Sequence, residues 1–309
     1  MSTPSTSETD GEFLSDVDLS GVYRREKIFK TLCFLASLFG LVMLAFLLLD
    51  IAWESLLGYY PIGIDPVTFF TGTGSQTWHQ NGILAAFVGT LWLMLFTLIF
   101  TFFLGVGTAI YLEEFAPNNR ITRLIEANLT NLAAVPSVVY GLLVLAAVVE
   151  FGGLGPIIIS GAIALGLLVV PLIIVSAQEA LRSIPDGVRR GSYACGATKW
   201  QTVRHVLLPR ALPGIFTGTI LALARAIGET APLLMVGAVL SLGRVPSGPF
   251  SRFASMTTEI YEWALNPVTE FHHVASWAIV VLLVMMFSMM LFAFYLRNKY
   301  ENETGLAGV

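Results

Sequence analysis

The segment GTILALARAIGETAPLL places Arg225 and Glu229 four positions apart in an almost wholly apolar stretch. A guanidinium stays charged at any accessible pH and presents a planar fork of donors that matches an oxyanion. Holding such a charge at membrane depth costs at least ~2.5–3.5 kcal/mol, and intramembrane ionisable groups face a bundle interior or an aqueous cavity. On a continuous helix the spacing puts both groups on one face. Two readings compete: a mutual ion pair that locks helix packing, and a ligand pathway in which Arg225 recognises an anion. Thr230 adds a hydroxyl to the same passage, or closes on its own i−4 carbonyl. Gly228 between them permits close helix approach.

The elements that position these residues are apolar runs. Charged residues make up 12% of the 309-residue chain, about half of the ~25% of soluble proteins. Six runs have the length and composition of transmembrane helices: 28–51, 83–111, 129–149, 154–176, 212–242 and 274–296. None alternates like a membrane barrel strand. Arg225 falls near the midpoint of the fifth run if that run is one helix. Pro136 in the third lacks the N–H that would meet the Leu132 carbonyl, which predicts a kink there with Ser137 and Tyr140 beside it. The start of the chain, 1–22, is acidic and rich in Ser and Thr, and it reads as disordered. It lacks a basic signal-peptide start, so the first run is expected to be retained as a span.

Lys and Arg distribute unevenly between alternate connections. With the N-terminus cytoplasmic, the other side holds only Arg244 and Arg252, which predicts both termini inside. Trp53, Trp78 and Trp263 on that other side suit interface anchors. The longest inward connection carries Arg182, Arg189, Arg190, Lys199, Arg204 and Arg210. Its pattern predicts a short helix behind Pro185 ending near Ala194, a turn at Gly196, and a second helix opened by a Thr198–Gln201 capping box. Trp200, Val203 and Leu207 are expected on one face of that helix, and Pro209 at its end.

Cys33 and Cys195 have no metal-ligand or CxxC spacing, and the histidines (His79, His205, His272 and His273) suggest no metal site. No GxxxxGK[ST] phosphate loop and no HExxH occurs, so energy for any pumping must come from another chain.

The basic connection resembles the cytoplasmic loop of ABC importer permeases. In that pattern a Gly, nine residues on, is followed by a branched apolar residue, one residue and Leu-Pro; here Gly196 leads to Val206, Leu207, Leu208 and Pro209. The family's Glu-Ala-Ala positions are Arg190, Gly191 and Ser192. ARAIGETAPLL, NLAAVPSVVYGLL (131–143) and GTAIYLEEFAP (107–117) further resemble phosphate-specific permeases of the PstA type. The resemblance implies an all-α membrane protein with six transmembrane helices, residues 23–309, and a coupling helix between helices 4 and 5 in a loop at about 177–211. It implies contact of Gly196, Ala197, Thr198, Lys199 and Trp200 with a cytoplasmic ATPase. The family's paired Arg and Glu fall on Arg225 and Glu229, in the phosphate pathway together with Thr230.

The implied partners are a second homologous permease, two ATPase subunits that bind ATP and Mg, an extracytoplasmic phosphate-binding protein and inner-membrane lipid. The chain itself is expected to hold no cofactor or metal, to catalyse no reaction and to bind no nucleic acid. A carboxylate only accepts hydrogen bonds, so Glu229 could take the P–OH hydrogen of phosphate and disfavour sulfate, or simply orient Arg225. Alternatives are the paralogous phosphate permease, a sulfate or molybdate permease, an ATP-independent anion channel or carrier, and a polytopic membrane enzyme.

Overall fold

The computed structural model describes residues 20–59, 63–75, 77–240 and 242–303, so the acidic tail lies outside them except for its last three positions, which open the first helix. Every regular element among the described residues is helical. The chain divides into two compact units, Met1–Trp53 and Glu54–Val309. Helix α1, Ser20–Tyr59, exposes apolar side chains all around, among them Phe29, Phe39, Leu49 and Trp53. A long helix that is apolar on every face suits hydrocarbon rather than water.

The second unit carries the remaining helices: α2 (Pro66–Thr71), α3 (Leu84–Ile110), α4 (Arg120–Leu132), α5 (Ser137–Val144), α6 (Ile158–Arg182), α7 (Asp186–Ala194), α8 (Lys199–Thr202), α9 (Leu208–Ile227), α10 (Ala231–Val236), α11 (Met256–Leu265) and α12 (Glu270–Glu303). Wider π turns extend α3 over Tyr111–Phe115 and α5 over Leu145–Glu150. Five helical stretches are long and apolar enough to cross a membrane: Tyr23–Leu56, Leu84–Phe115, Ile158–Arg182, Lys199–Ile227 and Glu270–Lys299. The protein is therefore an all-helical membrane protein.

The third run behaves differently. It is split by a non-helical step before Pro136, and its apolar helix, Ser137–Glu150, is shorter than a full span. The missing N–H at Pro136 acts as anticipated. The Leu132 carbonyl accepts the Val135 N–H in this turn (3.1 Å) and, as a second donor, the Tyr140 hydroxyl at 2.7 Å. Tyr140 is buried and serves this joint rather than a passage.

Helix α6 is the central post. In its most apolar window 67% of residues are buried, against 6% for α12. Helices α3, α9 and α10 pack against it, with Leu165, Val169, Ile173 and Leu181 fully enclosed. In lipid this association rests on close packing, since the solvent is as apolar as leucine. Some buried hydroxyls bond within their own helices, as in Thr101 Oγ1 to Thr97 O (2.7 Å) and Thr219 Oγ1 to Ile215 O (2.8 Å), whereas Thr97 Oγ1 reaches across to Ala162 O of α6 (3.5 Å).

Helix α5 lies directly on α10. A Cβ at Gly141 would fall 2.7 Å from the Cα and carbonyl of Pro232 and 2.8 Å from the Met235 Cβ. Gly141→Val should force the two helices apart and cost about 1–3 kcal/mol. The expected readout is a lower melting temperature of the purified membrane protein, with Gly141→Ala milder in the same direction.

Candidate functional site

Helix α9 carries Arg225 in its last turn. Gly228 closes the helix, Glu229 and Thr230 are non-helical, and α10 restarts at Ala231. The fifth run is thus two helices rather than one, and Arg225 stands near the end of a span instead of at its midpoint. The cause is local. Pro232 has no N–H to meet the Gly228 carbonyl and its ring would collide with it, while glycine is a weak helix former. Gly228 N–H turns back to Arg225 O, and Glu229 N–H to Ala226 O, both at 3.2 Å.

Glu229 reaches back across this break. Its Oε1 lies 3.5 Å from Arg225 Nε, so the pair forms at a helix end and not along one helix face. The separation exceeds the roughly 2.7–2.9 Å of a charge-assisted hydrogen bond. It is a loose ion pair, and the Nη groups have no partner among the described residues. The Arg225 side chain is 50% exposed and that of Glu229 20%, within this single chain. A cation in the last turn also meets the negative end of the helix dipole.

The depth of the break follows from its neighbours. Thr257 Oγ1 donates to the Glu229 carbonyl (3.4 Å), and the adjacent Met256 N–H donates to Thr90 Oγ1 (2.9 Å). Thr90 lies about 9 Å along α3 from Leu84 at ~1.5 Å per residue. Non-helical backbone at membrane depth persists only where protein surrounds it or where it lines a watery cavity. Thr230 precedes α10 without capping it, and its hydroxyl makes no hydrogen bond among the described residues, so the i−4 closure does not form.

The basic loop sits at the opposite end of α6. Helix α7 begins behind Pro185 and ends at Ala194, as its pattern predicts. Gly196 takes φ +81°, a conformation strained for other residues. The capping box is complete: Thr198 N–H donates to Gln201 Oε1 (2.8 Å) and Gln201 N–H to Thr198 Oγ1 (3.3 Å). The loop proper is shorter than 177–211, because α6 continues to Arg182 and helix resumes at Lys199.

Two details depart from expectation. Pro209 does not end the second helix; a π turn over Val203–Leu207 carries the chain past it into α9 as one apolar stretch, Lys199–Ile227. Trp200 does not share the buried face: it is 57% exposed, whereas Val203 and Leu207 are enclosed. Gly196, Thr198, Lys199 and Trp200 form an exposed knob with Ala197 half-buried, and Lys199 Nζ stands 5.5 Å over the Phe115 ring.

The structure adds an ion-pair network that pattern reading missed. Arg182 bonds Glu113 (2.7 Å) and Glu126 (3.3 Å). Arg189 meets Glu114 at 3.0 Å and donates to the Leu181 and Ile184 carbonyls, each at 2.8 Å. Both Arg189 and Glu114 are largely enclosed (16% and 6% exposed). Arg189 therefore caps the C-terminus of α6 and ties α7 to the end of α3. Arg190, at the family pattern's Glu position, is exposed. The available signal was the EEF step facing a loop rich in arginine. Among the described residues no group of three or more His, Cys, Asp or Glu is placed to hold a metal; His273 Nδ1 instead meets Glu54 at 2.8 Å.

Comparison with known proteins adds context to this geometry. Residues 101–301 match the family described as binding-protein-dependent transport system inner membrane component. The chain is 33% identical over 207 residues to the probable ABC transporter permease protein YqgI of Bacillus subtilis (strain 168), covering 64% of this chain and 70% of that protein. It is 30% identical to the phosphate transport system permease protein PstA of Xylella fastidiosa (strain 9a5c), covering 91% and 98% of the two chains. The corresponding PstA of Yersinia pestis is 30% identical, with 85% and 87% covered. Among solved structures, a chain of a bacterial alginate ABC transporter in complex with an alginate-bound periplasmic protein superposes with a TM-score of 0.65 at 16% identity, over 89% of this chain and 95% of that one. This last likeness speaks to fold alone.

Removing one partner of an enclosed ion pair strands the other. Arg189→Ala should cost about 3–5 kcal/mol, read as a lower melting temperature. The charge swap Arg189→Glu with Glu114→Arg should recover part of that loss.

Proposed function

The chain belongs to the family of binding-protein-dependent transport system inner membrane components, and we propose that it is the permease subunit of an ATP-driven importer of inorganic phosphate. The observation that carries this reading is the Arg225–Glu229 pair held at a helix break inside the apolar bundle. The names of the PstA relatives supply the substrate. Arg225 offers its Nη groups to the charged oxygens of phosphate, and its Nε stays with Glu229. The Glu229 carboxylate accepts the hydrogen of P–OH, and Thr230 contributes a free hydroxyl. Sulfate has no such hydrogen and meets an unrelieved negative charge.

In this reading both termini are cytoplasmic and the basic loop faces the cytoplasm, in accord with its arginines. A second, homologous permease completes the wall that this chain leaves open around Arg225. Two ATPase subunits, which bind ATP and Mg, dock on the knob from Gly196 to Trp200, and a phosphate-binding protein docks on the far side. The chain itself carries out no chemistry. Nucleotide and binding protein drive alternating access only through unequal affinity for the two states.

Phosphate uptake by vesicles bearing the assembled transporter tests the pathway. Arg225→Ala should lower ATP-driven uptake roughly 10- to 100-fold, as for loss of a hydrogen bond to a charged group, while the complex still assembles. Undiminished uptake would remove Arg225 from the pathway, and wild-type flux without ATP would mark a channel. Glu229→Gln should retain part of the phosphate uptake and gain measurable sulfate uptake. Unchanged sulfate exclusion in that variant would leave Glu229 only the task of orienting Arg225.

A further inference from the structure

Arg244 and Arg252, with Ser247 and Ser251, line a single concavity of about 290 Å³ in the loop between α10 and α11. It lies at the end of α6 opposite the basic loop, since Ser251 and Pro249 carbonyls accept the N–H groups of Ile158 and Ile159 at 3.1 and 3.3 Å. These are the two arginines that the charge distribution assigns to the outer side.

Arg244 and Arg252 are exposed, and they differ from the two arginines that bridge helices at the other end of α6. Arg182 and Arg189 each have glutamate partners. Neither Arg244 nor Arg252 has a carboxylate within ion-pair distance among the described residues. Two like charges sharing one cup repel, and a bound anion relieves both. The cup is also framed before any ligand arrives. Besides the bonds to α6, Gly74 N–H donates to Leu242 O (3.1 Å), Thr73 Oγ1 to Gly243 O (3.2 Å) and Ser251 N–H to Gly248 O (3.0 Å). Ser247 and Ser251 hydroxyls lie 3.3 Å apart. One hydrogen bond between them consumes one proton and leaves the other to donate. The volume approaches that of small-ligand pockets, ~300 Å³ upward. A concave pocket with hydroxyl donors fits a small tetrahedral oxyanion better than a flat protein surface.

We propose that Arg244, Arg252, Ser247 and Ser251 form an outer oxyanion-holding site, separate from Arg225, that receives the transported anion before it enters the bundle. The identity of that anion as phosphate rests on the proposed function; the site itself rests on the paired guanidinium groups.

The test is equilibrium binding of radiolabelled phosphate and, in parallel, sulfate to the assembled transporter in lipid nanodiscs. No nucleotide or binding protein is present, and ionic strength is low. Wild type should show a binding component that weakens with added salt. Arg244→Gln with Arg252→Gln should weaken it at least ten-fold, while Arg190→Gln, at an exposed arginine of the opposite loop, retains it; unchanged elution of the complex checks folding. Binding of sulfate in place of phosphate at this component would support the site and overturn the phosphate reading. Binding of both anions unaltered in the double variant, or of neither in wild type, would overturn the site. So would a double variant that binds anion normally yet loses stimulation of ATP hydrolysis by the binding protein, which would make the two arginines a docking contact for an acidic protein surface.

Discussion

Hydrocarbon offers no hydrogen bonds, so a chain that leaves the helix inside a membrane must find every freed backbone group a partner or a watery cavity. This protein interrupts its apolar runs before Pro136 and again at Gly228, and the two interruptions are handled in opposite ways. Around Pro136 the Leu132 carbonyl takes both the Val135 N–H and the Tyr140 hydroxyl, and the joint becomes structural. At Gly228 the chain turns and brings an arginine and a glutamate together across the break, with both carboxylate and guanidinium partly exposed. Beyond the second break, α10 is held by α5, whose Gly141 lies against Pro232 and Met235.

Helix α6 links two polar ends that do different work. At one end Arg182 and Arg189 are matched by glutamates from α4 and the π turn that extends α3, and Arg189 closes the helix C-terminus. Arg189 thereby holds α7 to both α3 and α6, and an enclosed ion pair of this kind resists separation. At the other end Ser251 and Pro249 hold the first N–H groups of α6, and the nearby arginines remain without carboxylates. A single helix fixes the spacing between an internally satisfied end and one that invites a ligand.

Much of this was legible in the residues. Gly196 and the Thr198–Gln201 box set the turn and restart of the basic loop through chemistry confined to a few positions, and both formed as read. The apolar runs marked the spans because their length is dictated by bilayer thickness. The division of the fifth run was missed, although Gly228 and Pro232 announce it: the apolar count outweighed two local helix breakers. Pro209 was over-read in the opposite sense, because a π turn is a way past a proline that no local pattern reveals. The Glu113, Glu114 and Arg189 contacts join positions far apart in the chain, and spacing along one element carries no information about them. The Arg225–Glu229 pair was expected for its residue types and found, but its geometry came from the break and not from helical periodicity.

The uninterrupted course of Lys199–Ile227 past Pro209 has a mechanical consequence. Trp200 and Arg225 are the two ends of one rod roughly 40 Å long at ~1.5 Å per residue. Tipping that rod about its lower end by about 10° sweeps the upper end sideways by roughly 7 Å, more than a full helical pitch of ~5.4 Å. Along it the regular α-helix gives way to the wider turn at Val203–Leu207 and carries Pro213 in its interior. In the proposed importer, the stiffness of that turn and of the helix around Pro213 decides how much of such a tilt reaches the guanidinium.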